Sequence, residues 1–146
     1  MMMGHELCEF VYRVLDKHRI DEEDVKMLQR DVMVDGSVNR DAIDVLIALD
    51  RAVSDSSSAF ADYLVALVVD YAVWESRPTG VIDRDKAHWL VTTLSAGDGP
   101  TATAQRIAFE IVREADRCDE ALLGFALRKG AAKPRGFDAG RILLAS

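Results

Sequence analysis

Residues 20–52 read IDEEDVKMLQRDVMVDGSVNRDAIDVLIALDRA, and this stretch decides the fold class. Val25, Leu28 and Val32 recur at three- and four-residue spacing, and so do Leu46 and Leu49 beyond the polar interruption. That is the period of one face of a helix, not the strict alternation of a half-buried strand. Asp21 caps the first of these helices, over about Glu22 to Val34, and Ile20 is placed to close a hydrophobic staple on Val25. Asp35-Gly36 stops it, because aspartate and glycine together make a tight turn. Asn39 caps a second helix from Arg40 to about Val53. The unit is helix, Asp-Gly turn, helix.

Working outward, the same period predicts a helix near Glu6 to His18, another from Ala59 to about Glu75, and three more over Arg84 to Leu94, Ala102 to Ala115 and Asp119 to Leu127. Arg77-Pro78-Thr79-Gly80 punctuates the midpoint, since proline biases its predecessor away from helix and glycine accepts positive φ. Residues 82–115 read IDRDKAHWLVTTLSAGDGPTATAQRIAFEIVREA. At a shift of 62, Ile82, Asp83, Ala87, Leu90 and Leu94 fall on Ile20, Asp21, Val25, Leu28 and Val32. One inserted residue then brings Asp98-Gly99 onto Asp35-Gly36 and Phe109 onto Leu46. Neither unit can bury its apolar stripe alone, so two packed back to back predict an all-α bundle of about seven helices in one domain, 1–146. The pseudo-repeats span about 20–65 and 82–127, related by a pseudo-twofold, with the fourth helix central. A tail over 131–146 docks or pairs through Ile142-Leu143-Leu144.

Of 146 residues, 49% are apolar, 29% charged and 3 are proline, which excludes a disordered or collagen-like chain. The net charge of −7 repels phosphate backbones and anionic lipid, so neither nucleic acid nor membrane is expected as a partner. The most apolar run, Tyr63 to Trp74, contains Asp70 and falls well short of the roughly 20 residues that cross a bilayer. Met1 to Glu6 lacks the basic region and cleavage site of an export signal, so a cytoplasmic location is expected. The charge is also polarised: residues 1–79 carry 16 acidic and 8 basic side chains, residues 80–146 carry 9 and 10. Such polarity suits a protein partner or a second copy of the chain, a homodimer included.

No local motif supplies catalysis or a cofactor. His5, His18 and His88 have no second histidine or cysteine at helical spacing, so no zinc site is expected. Gly97-Asp98-Gly99 lacks the third glycine and the preceding strand of a dinucleotide site. Laid on the twelve-residue calcium loop, Asp31 to Ala42 places Met33 and Ala42 where oxygen ligands are required. Cys8 and Cys118 read as small apolar groups in reducing surroundings. Asp70, in contrast, interrupts a run that should be buried, and a buried carboxylate needs a partner. Arg77, Lys86 and His88 are the candidates for a buried ion pair, and Trp74 and Trp89 flank the same junction as candidate interface residues.

Two helix, Asp-Gly, helix units in an acidic helical domain of this size resemble the tellurite-resistance B-like (TerB-like) bacterial domains. The resemblance spans about Ile20 to Leu127 and rests on Asp35-Gly36-Ser37-Val38 and Asp98-Gly99-Pro100-Thr101. The chain is similar, too, to uncharacterised proteobacterial helical proteins. The resemblance implies a stress-response protein whose acidic surface binds divalent cations, yet Ala42 and Gln105 stand where that family places a glutamate. Three functions follow as expectations: a non-enzymatic interaction or scaffold protein; a TerB-like cation-binding protein; and a small-molecule enzyme using Asp70 and His88 as acid and base.

Overall fold

The computed structural model describes residues 5–32, 38–97 and 99–127. Among them are seven helices. Helix α1 is His5–Lys17; α2 is Glu22–Met27 and runs on through a π-helical turn, Leu28–Val32; α3 is Arg40–Ala52. Helix α4 is Ser58–Val69, extended by a π-helical segment Asp70–Glu75. Then come α5, Arg84–Leu94, α6, Ala102–Glu114, and α7, Glu120–Leu127. None of the described helices is long and apolar enough to cross a membrane. The expected tail and the Asp35-Gly36 turn lie outside the described residues, as does Asp98.

The capping residues read from sequence are in place. Asp21 accepts from the Asp24 amide, Asn39 from the Ala42 amide at 2.8 Å, and Asp83 from the Lys86 amide at 2.9 Å. Asp24 completes a capping box by accepting the Asp21 amide at 2.9 Å. Ser57 and Thr101 cap α4 and α6 in the same way.

Two short parallel pairings, which helical periodicity does not reveal, stitch the connections. Ile20 bridges Ser56, with the Ser57 amide donating to the Ile20 carbonyl at 2.8 Å. Strand β1, Val81–Ile82, pairs in parallel with β2, Arg117–Cys118, and the Asp119 amide donates to the Ile82 carbonyl at 2.7 Å. The two connections are built alike, 62 residues apart, and the helices keep that spacing: α3 and α6, like α2 with its π turn and α5, begin and end 62 residues from each other. No inserted residue is needed. At a shift of 62, buried Leu46 meets buried Ala108, whereas its sequence-level match Phe109 is 49% exposed.

The core holds Phe10 and Val14 of α1, Leu28, Ile43, Leu46, Phe60, Leu64, Val68, Leu90, Ile107 and Leu122, all essentially dry. Helix α4 packs on helices of both halves, α2, α3 and α6, as a central helix should, but the least exposed helix is α3, which is buried or half-buried from Arg40 through Arg51. One expectation about the arrangement changes. A pseudo-twofold would match the packing of α3 on α5 with an equal contact of α6 on α2, yet α6 packs on α4 and α7 instead.

Candidate functional site

The junction between the halves is organised by a buried cation. Lys86 sits at the third position of α5, on the stripe that continues through Ala87, Leu90 and Leu94, so its stem enters the core. Only 1% of it is exposed. Its Nζ donates to the carbonyls of Ala72 at 2.7 Å, Ser76 at 2.8 Å, Pro78 at 2.7 Å and Val81 at 2.8 Å. Those oxygens belong to the end of α4 and the connection after it, where a helix leaves carbonyls without intrahelical donors and carries its negative dipole end. Burial pulls the lysine's pKa below its usual value, with the Asp83 carboxylate acting in the opposite direction and Arg40 adding to the fall.

Sixty-two residues earlier, Asp24 is the other fully buried charged residue described. It receives Lys17 Nζ at 2.7 Å and lies 3.4 Å from Arg13 Nε, both on α1. Each buried charge therefore ties the start of one helix to the end of the helix before it, with opposite sign. The backbone repeats as well: His18 has φ +59° and Gly80 φ +78°, both left-handed, each two residues before the bridging isoleucine. At Gly80 a side chain would also crowd Asp116 Oδ2, 2.9 Å from where a Cβ would stand.

The residues expected to form a buried ion pair are not brought together. Asp70 is exposed, as are Arg77 and His88. Ser58, Asp62, Ala66, Asp70 and Trp74, at four-residue intervals, form the solvent stripe of α4, so Asp70 needs no buried partner. Lys86 is buried as a candidate partner should be, but its ligands are carbonyls. His88 opens onto a cleft of about 630 Å³ whose other lining residues are Arg84, Asp85, Val91, Asp119 and Ala121, and Asp70 is not among them. Burial and the Asp119 carboxylate push the Cys118 thiol up, keeping it protonated. Among the described residues no group of three His, Cys, Asp or Glu side chains is placed to hold a metal ion.

Trp89 is a joint, not a docking surface. Its indole N–H donates to Asp44 Oδ1 at 2.8 Å, the Arg40 guanidinium lies 4.8 Å from its ring centre, and Tyr71 meets it edge-on at 6.1 Å. Arg40 also donates to Asp85 at 2.7 Å, and Arg51 to the Thr93 carbonyl at 3.3 Å. Arg40, Asp44, Ile47 and Arg51 are thus one stripe of α3, closed by α5, with Ile47 2% exposed at its middle. Trp74, 41% exposed, donates to Glu114 at 3.2 Å.

The corresponding stripe of α6 is open. Ala102, Arg106, Phe109 and Arg113 stand 62 residues after those four, and all are exposed, Phe109 by 49%. Arg106 donates to Asp62 at 2.9 Å and Arg113 to Glu110 at 3.0 Å, both surface pairs. Sequence reading missed this face because one inserted residue matched Phe109 to Leu46, although Phe109 stands off the buried period of α6, Ala104, Ile107, Ala108 and Ile111. No family model, curated protein or solved structure matches the chain. The α6 stripe and the His88 cleft are accordingly judged on geometry alone. The cleft is lined by the exposed side chains of Arg84, Asp85 and His88 beside half-buried Asp119; the stripe presents an aromatic side chain between two arginines, a composition enriched where proteins bind proteins.

Proposed function

We propose that this protein is a non-enzymatic interaction module whose docking face is the α6 stripe, Ala102, Arg106, Phe109 and Arg113. The observation that carries the reading is the contrast between Phe109, 49% exposed, and Ile47, 2% exposed, at corresponding points of α6 and α3. An exposed aromatic flanked by arginines is the side-chain set that anchors protein interfaces. The reading also takes the chain as a duplication, supported by the constant spacing of helices, caps, left-handed residues and parallel bridges. Two halves following one another in this way close the α3 face and, among the described residues, leave the α6 face without a covering helix. The acidic side chains of the first half support interaction more than cation binding, since Asp24, Asp44, Asp50 and Asp62 are already engaged with protein donors.

The test is chemical cross-linking in the organism that makes the protein, comparing the natural chain with Phe109→Asp. A cross-linked species that the natural chain forms and Phe109→Asp loses, with thermal stability unchanged, is the expected result. Identical cross-linked species from both chains would remove α6 as the docking face.

A further inference from the structure

We propose that the partner seated on the α6 stripe is a second copy of this chain, presenting the outer face of its α2, so that copies associate head to tail. The proposal rests on the docking reading above and specifies its occupant. Within one chain, α3 is covered by α5 through Arg40 to Asp85, Asp44 to Trp89 and Arg51 to the Thr93 carbonyl. Helix α2 corresponds to α5, and α6 to α3, with the 62-residue spacing kept throughout. Repeating the internal contact between two copies therefore sets α6 of one on α2 of the next.

The side chains at those positions complement one another. Arg113 stands where Arg51 does, and Asp31 where Thr93 does, so an arginine meets a carboxylate. Phe109 faces the turn of α2 that carries Met27, which is half-buried, its remaining surface bordered by exposed Glu23 and Arg30. Arg106 replaces Asp44 and reaches towards Glu23 and the Met27 side chain. In the single chain these groups make exposed pairs, Arg113 with Glu110, Arg106 with Asp62, Arg30 with Asp31 and Lys26 with Glu23, which exchange at little cost. The polarised charge of the chain favours the same orientation, α2 lying in the acidic half and α6 in the other.

Sedimentation velocity on the full chain at low salt, over a wide concentration range, tests the assignment. The average mass is expected to rise with concentration and to pass that of a dimer, because a head-to-tail contact leaves one free face at each end. Phe109→Asp, and separately Glu23→Arg combined with Asp31→Arg, should each weaken association at least about tenfold. All these positions are exposed, and unchanged circular dichroism melts establish that the variants fold. Mixing the two variants should restore a complex that stops at one copy of each, since each supplies the face the other lacks. A species that halts at a dimer, with no rescue on mixing, overturns the head-to-tail arrangement in favour of a twofold. A chain monomeric at every concentration overturns the second-copy assignment. If that monomer still forms a cross-linked species lost in Phe109→Asp, the docking reading stands with a different protein as partner. If Phe109→Asp instead destabilises the monomer, the stripe is covered within its own chain, and both readings fall.

Discussion

Lys86 holds a positive charge where water does not reach, and its Nζ lies within 2.8 Å of four carbonyl oxygens. Replacing it with methionine keeps the apolar stem but strands those acceptors, and Lys86→Met is expected to cost about 2–4 kcal/mol in a urea denaturation series. Asp70→Asn, on the solvent stripe of α4, should shift stability by less than about 0.5 kcal/mol in the same assay. Sequence reasoning expected Asp70 to be buried with Lys86 among its candidate partners, and of the two only Lys86 is buried. Hydropathy alone ranks Asp70 inside a run of Leu, Val and Tyr; the exposed Ser58, Asp62, Ala66 and Trp74 at four-residue intervals show that the run is amphipathic. Asp21 offers a pH-dependent test. The hydrogen bond donated by the Asp24 backbone amide, with further help from the Asp24 and Lys17 side chains, holds its carboxyl below the usual value of 3.8. A folded-state pKa below the unfolded one contributes stability that is complete above the unfolded value and is lost as pH falls through the folded one. Asp21→Asn keeps a capping oxygen but does not titrate, so its stability should fall less steeply than that of the natural chain below about pH 4.

At the scale of elements, the connection entering each half is a left-handed residue, an isoleucine in a parallel bridge and an aspartate cap. His18 adopts φ +59° where Gly80 adopts φ +78°. Left-handed backbone costs a side-chain-bearing residue about 1–2 kcal/mol, while glycine enters it freely at some cost in unfolded-state entropy. His18→Gly should therefore raise the thermal midpoint, by up to about 1 kcal/mol of stability, whereas Gly80→Ala should lower stability by about 1–2 kcal/mol. If both substitutions move the midpoint in the same direction, the two connections are not equivalent. The helices and their caps were legible because capping is local: an Asp, Asn, Ser or Thr side chain meets an amide of its own first turn. The parallel bridges were not, since Ile20 and Ser56 are neighbours only once α2 and α3 have folded back between them.

On the scale of the whole molecule, cross-half ion pairs are few and exposed. Arg40 with Asp85 and Arg106 with Asp62 lie at the surface, and exposed pairs contribute at most about 1 kcal/mol each. The halves are held by burial, Ile47, Leu90 and Ile107 among the contributors. Raising salt should accordingly leave the thermal midpoint nearly unchanged while weakening the proposed self-association, whose contacts include charge pairs at an open face. A midpoint that falls steeply with salt would mean that the surface pairs, not the core, join the halves.

The sequence by itself determined the all-helical class, the position of each described helix to within a residue or two, and the caps of α2, α3 and α5. These follow from periodicity and short-range hydrogen bonding, which involve residues within a few positions of one another. Only the tertiary structure decided that α3 is the least exposed helix, that Lys86 and not Asp70 is buried, and that Phe109 faces solvent. An amphipathic period states that a helix has an apolar side, and α4 and α7 cover that of α6; whether a further helix lies against the opposite face depends on how the chain returns, and at the stripe that carries Phe109 no described helix does.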